Sequence, residues 1–91
     1  MAVLTYSRAR DGGQALSKNF TVREFACADG SDKILIDSEL VLLLQKIRDH
    51  FHRPLLITSA YRSPAYNKKI GGASNSYHLK GMAADHYISG V

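Results

Sequence analysis

The sequence predicts a small α+β domain. Three observations carry that expectation. An apolar stripe at helical spacing runs from Asp37 to Phe51, and a β-branched apolar run follows Pro54. A second short apolar run lies near the end, separated from the first by a proline-started helix. Ninety-one residues allow one domain with a modest core.

Taken in order, the stretch to Gly13 reads as an extended arm with "DGG" as its turn. "SKNFTVREF" carries a helix start: Thr21 caps, Glu24 completes a capping box three residues on, and Phe20 and Phe25 form the staple. "ADGSDK" is a loop. In "DSELVLLLQKIRDHF", Leu40, Leu43, Leu44, Ile47 and Phe51 form the apolar face. Glu39, Gln45, Lys46, Arg48 and Asp49 fill the other positions, and Asp37 or Ser38 caps. Its fifteen residues span about 22 Å. "LLITSAY" reads as a buried strand. Ser63 and Pro64 open the helix "SPAYNKKI", which Gly71-Gly72 ends. "ASNSYHLK" is a loop, and "GMAADHYI" a second strand.

Composition excludes several classes. A hydrophobic share of 45% and a charged share of 22% suit a folded chain. The single cysteine, Cys27, rules out an internal disulfide framework and a Cys-based zinc knuckle, and its apolar neighbours mark a buried thiol. The net charge of +4 favours anionic partners, but basic and acidic residues alternate without a dense Lys/Arg run, which argues against nucleic acid. No apolar run is long enough to enter a membrane. The N-terminus lacks the pattern of a secretory signal, so the protein is expected in the cytoplasm until something releases it. Nothing in the sequence speaks to oligomeric state.

The residues that suggest chemistry are His78 and Asp85. A catalytic zinc needs imidazole or carboxylate ligands with one position open, and the small residues Gly81, Ala83 and Ala84 between the two leave room for an ion. Their spacing alone is a weak signal, equally met by a surface histidine and a strand-end aspartate.

Read whole, Ser76-x-His78-x-x-Gly81-x-Ala83-x-Asp85 resembles the S-x-H-x-x-G-x-A-x-D signature of the M15 zinc peptidases. That family includes D-Ala-D-Ala carboxypeptidases and phage endolysins that cut peptidoglycan stem peptides. "ITSAYRSPAYNKKIGGASNS" is also similar to its members, especially the short M15A-type domains. The likeness runs from about Phe20 to Val91, leaving 1–19 as an N-terminal arm and 20–91 as the peptidase domain. It implies helices packed on a short, mainly antiparallel sheet, as in the hedgehog-like zinc peptidase fold. It further implies Zn2+ as cofactor, His78 and Asp85 as ligands, Arg62 as the cation that contacts the substrate and steadies the oxyanion, and Ser76 as a loop-orienting or substrate-binding residue. A forked, permanently charged donor suits the oxyanion role.

The family carries a third ligand, a histidine on a later strand, and shortly before it an acid that serves as general base. This sequence reaches Val91 without that segment, so a shortened domain is expected. His86 adjoins Asp85 and would face the other way along a strand, while His50 and His52 decorate the end of the long helix. Glu24, Asp29 and Asp37 are expected in caps and turns, and none is marked as the base. Two functions follow. One is a zinc peptidase acting on peptidoglycan bonds that involve D-amino acids, endolysin-like and working at the cell wall. The other is a non-catalytic zinc- or wall-binding module on the same scaffold.

Overall fold

The computed structural model describes residues 2–90, which fold as a small α+β domain with two antiparallel strand pairs. Strand β1 (Val3–Ser7) leads into a single helical turn, α1 (Arg8–Asp11). A short 3-10 helix at Val22–Phe25 precedes β2 (Lys33–Asp37), which runs directly into the long helix α2 (Ser38–Phe51). Strand β3 (Leu55–Ser59), helix α3 (Pro64–Lys69), a second 3-10 turn at Tyr77–Lys80 and strand β4 (Asp85–Ile88) complete the chain.

The first pair joins distant segments. β1 lies antiparallel on β2 from Val3 opposite Asp37 to Ser7 opposite Lys33. The arm expected at the N-terminus is thus extended where it pairs, and it docks further through Gln45. That side chain accepts from Ser17 Oγ at 2.6 Å and from the Asn19 amide at 3.0 Å. Asp32 ties the same region together by accepting from Ser7 Oγ and the Ala9 amide. The "KILID" strand was not anticipated, although its alternation of buried Ile34 and Ile36 with exposed Lys33 and half-buried Leu35 is that of a half-buried strand.

Packed under this pair lie Phe20, Val22 and Phe25. The capping box at Thr21 and Glu24 forms as expected, and the Phe20 and Phe25 rings meet edge-on with centroids 6.4 Å apart. The helix it starts stops after one turn, because Ala26 turns to extended backbone and carries Cys27 into the core. Each of these fully buried side chains stabilises the fold by about 1.5–3 kcal/mol.

Asp37 caps α2 by accepting the Glu39 amide, and His52 ends it in the left-handed conformation. The buried face of α2 differs from the one expected. Val41 and Leu44 point inward with Leu40 and Ile47 beside them, whereas Leu43 and Phe51 are exposed. Positions 40, 41, 44 and 47 form the helical stripe that meets the core, and the unbroken "LVLLL" conceals which stripe that is.

β3 also departs from expectation. Leu55 is buried, but Leu56 is 44% exposed, so the strand has one wet face. Among the described residues it pairs only with β4, and a two-stranded ribbon cannot cover both faces. The expected second strand is shorter than its apolar run: residues 81–84 are irregular, and pairing begins at Asp85. No helix among the described residues is long and apolar enough to cross a membrane.

Candidate metal centre

Three backbone devices bring Arg62, His78 and Asp85 together. Ser76 caps the second 3-10 turn by accepting the His78 amide at 3.2 Å, which starts the turn that presents the imidazole. Gly81 ends that turn with φ of 72°, and its carbonyl accepts the Asp37 amide at 2.9 Å. A Cβ there would collide with the Leu35 carbonyl, so glycine is demanded both by the left-handed backbone and by the close approach of β2. Finally, the β3–β4 register slips between Ile57 and Ser59, setting Asp85 opposite Ser59. Thr58 Oγ1 donates to the Asp85 carbonyl at 3.1 Å across this irregularity. Bulges of this kind re-aim side chains beside sites.

The imidazole is oriented by one short bond. His78 Nδ1 lies 2.7 Å from the Ala60 carbonyl oxygen. A carbonyl only accepts, so Nδ1 carries a proton, and the nitrogen left to offer a lone pair to a metal ion is Nε2. That nitrogen faces Asp85 Oδ2 at 3.6 Å. The same carboxylate oxygen lies 3.7 Å from a terminal guanidinium nitrogen of Arg62. Both distances exceed a hydrogen bond. Two ligands bound to one tetrahedral zinc at ordinary bond lengths sit about 3.4 Å apart, so the His78–Asp85 spacing accommodates an ion with little movement. An imidazole whose second nitrogen donates to a backbone carbonyl is the usual state of a zinc-binding histidine. The donor chemistry of this pair therefore fits zinc.

The surroundings divide the site into a dry and a wet side. His78 and Arg62 side chains are 12% and 17% exposed, against 60% for Asp85. The Arg62 amide donates to the His78 carbonyl at 3.0 Å, linking the two functional segments directly. Its side-chain Nε is buried without a hydrogen-bond partner, which leaves one donor of the fork unspent.

Other groups stay apart from this centre. His86 is exposed on the strand, with Nδ1 3.2 Å from the Ala84 carbonyl, and His52 forms the end of α2. Glu24, Asp29 and Asp37 all serve in caps or turns, Asp29 by accepting from the amide and hydroxyl of Ser31. No group of three His, Cys, Asp or Glu side chains among the described residues is arranged to hold a metal ion. Two features of the centre escaped the sequence reading, the Ala60 carbonyl that orients His78 and the slip at Thr58. Neither resides in a side-chain pattern, so neither leaves a motif.

A family model described as peptidase M15 matches residues 18–91. No curated protein and no solved structure matches the chain.

Proposed function

The chain belongs to the peptidase M15 family, and from that premise we propose a zinc-dependent peptidase that hydrolyses peptidoglycan stem-peptide bonds involving D-amino acids, with His78 and Asp85 as metal ligands. The observation that carries the ligand assignment is the 3.6 Å approach of His78 Nε2 to Asp85 Oδ2, with Nδ1 committed to Ala60. When bound, zinc would supply Lewis-acid polarisation of the scissile carbonyl.

The chain's own residues do the rest of the work proposed here. His78 offers a fixed lone pair from the dry side, and Asp85 offers a carboxylate from the open side, where a peptide can approach. Arg62 faces the same carboxylate oxygen at 3.7 Å and can turn its fork to a substrate carboxylate or to a developing oxyanion. Its low exposure strengthens that interaction, since nearby charges act more strongly where water is excluded. Ser76 acts through the turn that it caps and needs no contact with substrate.

A second reading has an observation in its favour. Only two ligands converge among the described residues, one short of the three usual for catalytic zinc. A module that holds zinc weakly and binds wall fragments would need nothing more.

Zinc titration, alone and with a peptidoglycan stem peptide, separates the two. Stoichiometric zinc with chelator-sensitive cleavage supports the peptidase, and binding without turnover supports the module. In either case His78→Ala and Asp85→Ala should each lower zinc affinity, on the order of tenfold or more. Unchanged zinc binding in both would end the assignment.

A further inference from the structure

Arg62 poses a question that its own contacts leave open. Among the described residues its buried Nε has no hydrogen-bond partner, and the Asp85 carboxylate oxygen that approaches the guanidinium is 3.7 Å away. A long side chain with so little polar anchoring would lose its direction, since about 2 kcal/mol of rotamer entropy opposes holding it. Something else must aim it.

The backbone around it is held with unusual closeness. Three consecutive amides donate to three different partners outside their own segment. Tyr61 donates to the Phe25 carbonyl at 3.2 Å, Arg62 to the His78 carbonyl at 3.0 Å, and Ser63 to Cys27 Sγ at 3.4 Å. The first and third bonds go to the 25–27 segment and the middle one to the metal-site turn. The peptide chain at Arg62 is thus clamped between the two.

The clamp is locked by side chains. Ser63 Oγ accepts the Tyr66 amide at 3.1 Å as the cap of α3 and donates to Asp29 Oδ2 at 2.7 Å. The other Asp29 oxygen accepts the Ser31 amide at 2.9 Å. The Ser31 and Ser63 hydroxyls hold the Asp29 carboxyl well below the usual carboxylate range, so it stays ionised in this role. Cys27 is 4% exposed, and its thiol sulfur acts as an acceptor. An N–H···O bond prefers about 2.9–3.0 Å, so the 3.4 Å gap suits sulfur better than oxygen.

We infer that Cys27, Asp29 and Ser63 are positioning residues for Arg62, forming a brace that fixes the arginine's backbone and so aims its guanidinium at bound substrate. The inference rests on reading Arg62 as the substrate-facing cation. It gives the lone thiol and a surface aspartate a role in substrate capture without any contact to substrate.

The test uses the full chain with 15N-labelled arginine. Relaxation of the Arg62 Nε–H signal is measured together with the affinities for zinc alone and for a peptidoglycan stem pentapeptide. In Asp29→Ala and Ser63→Ala the Nε–H order parameter should fall from the rigid range near 0.85 towards the flexible range below about 0.6. Pentapeptide affinity should drop about five- to tenfold while zinc affinity stays within about twofold of wild type. Ser63→Thr, which keeps the hydroxyl, should restore both readouts. An Nε–H order parameter unchanged in Asp29→Ala and Ser63→Ala would overturn the brace, and so would a loss of zinc affinity in step with peptide affinity, because that reports general loosening of the centre. The relaxation readout needs neither zinc nor turnover, so the brace is judged separately from the peptidase reading.

Discussion

The two strand pairs make a contrast within one small domain. β1–β2 sits over a packed floor: Ile34, Ile36, Val22, Phe20 and Phe25 are all fully buried. β3–β4 buries Leu55 but leaves Leu56 and Tyr87 exposed, and β4 begins with the most exposed member of the candidate centre, Asp85. The candidate centre draws its aspartate from the thinly packed half. What holds that half in place is backbone hydrogen bonding to its better packed neighbour, through Tyr61 to Phe25 and through Asp37 to Gly81. Such an arrangement separates the task of staying folded from the task of presenting an open site.

Four substitutions or conditions break or sharpen that contrast. The largest effect should come from Phe25→Ala, which empties the packed half at a cost of about 3–5 kcal/mol. In a domain this small, that is a melting-temperature drop of about 12 °C or more by calorimetry or circular dichroism. A drop as large from emptying the β3–β4 half would erase the distinction. Next is Gly81→Ala, at the seam between the halves. The left-handed backbone alone costs about 1–2 kcal/mol, and the collision with Leu35 adds to it. Here zinc affinity should fall along with stability, whereas a variant that melts early yet binds zinc normally would show the seam to be unimportant to the centre.

Acid comes third. Asp29 is held low by the Ser31 and Ser63 hydroxyls, Asp32 by the Ala9 amide and Ser7 hydroxyl, and Asp11 by Arg10 and the Ser7 amide. A carboxylate depressed on folding contributes stability that is present above its unfolded value, about 3.9, and that is lost as pH falls through the folded value. The melting temperature should therefore hold steady down to about pH 5 and decline below about pH 4. Asp32→Asn should flatten part of that decline, and an unchanged profile would show that the Ser7 and Ala9 contacts carry no net weight. Smallest of all, Leu56→Thr on the exposed face of β3 should shift stability by less than about 0.5 kcal/mol in denaturant titration. A larger cost would mean that this face is covered.

How much of this was legible beforehand follows from how local each feature is. The Thr21–Glu24 capping box, the Asp37 cap of α2 and the Ser63-Pro64 start of α3 are written in four residues or fewer, and all formed. The convergence of Arg62, His78 and Asp85 was readable only through family resemblance, because their spacing in the chain is uninformative. Pairing between residues 3–7 and 33–37 depends on a contact across some thirty positions, which no local window records. The inward face of α2 was misjudged at Leu43 and Phe51 because five consecutive apolar residues fit more than one stripe. Tertiary packing chose Val41. Cys27 was correctly expected to be buried, but its role as an acceptor for Ser63 depends on two segments meeting.

The Asp37–Gly81 bond has a bearing on assembly order. The turn that carries the imidazole is docked on β2, since its last carbonyl accepts an amide that β2 delivers at the head of α2. Under the proposed function, ion capture would then follow completion of the scaffold rather than template it. Added zinc should therefore be unable to rescue a chain whose aromatic floor has been removed, unlike small modules that fold around their metal.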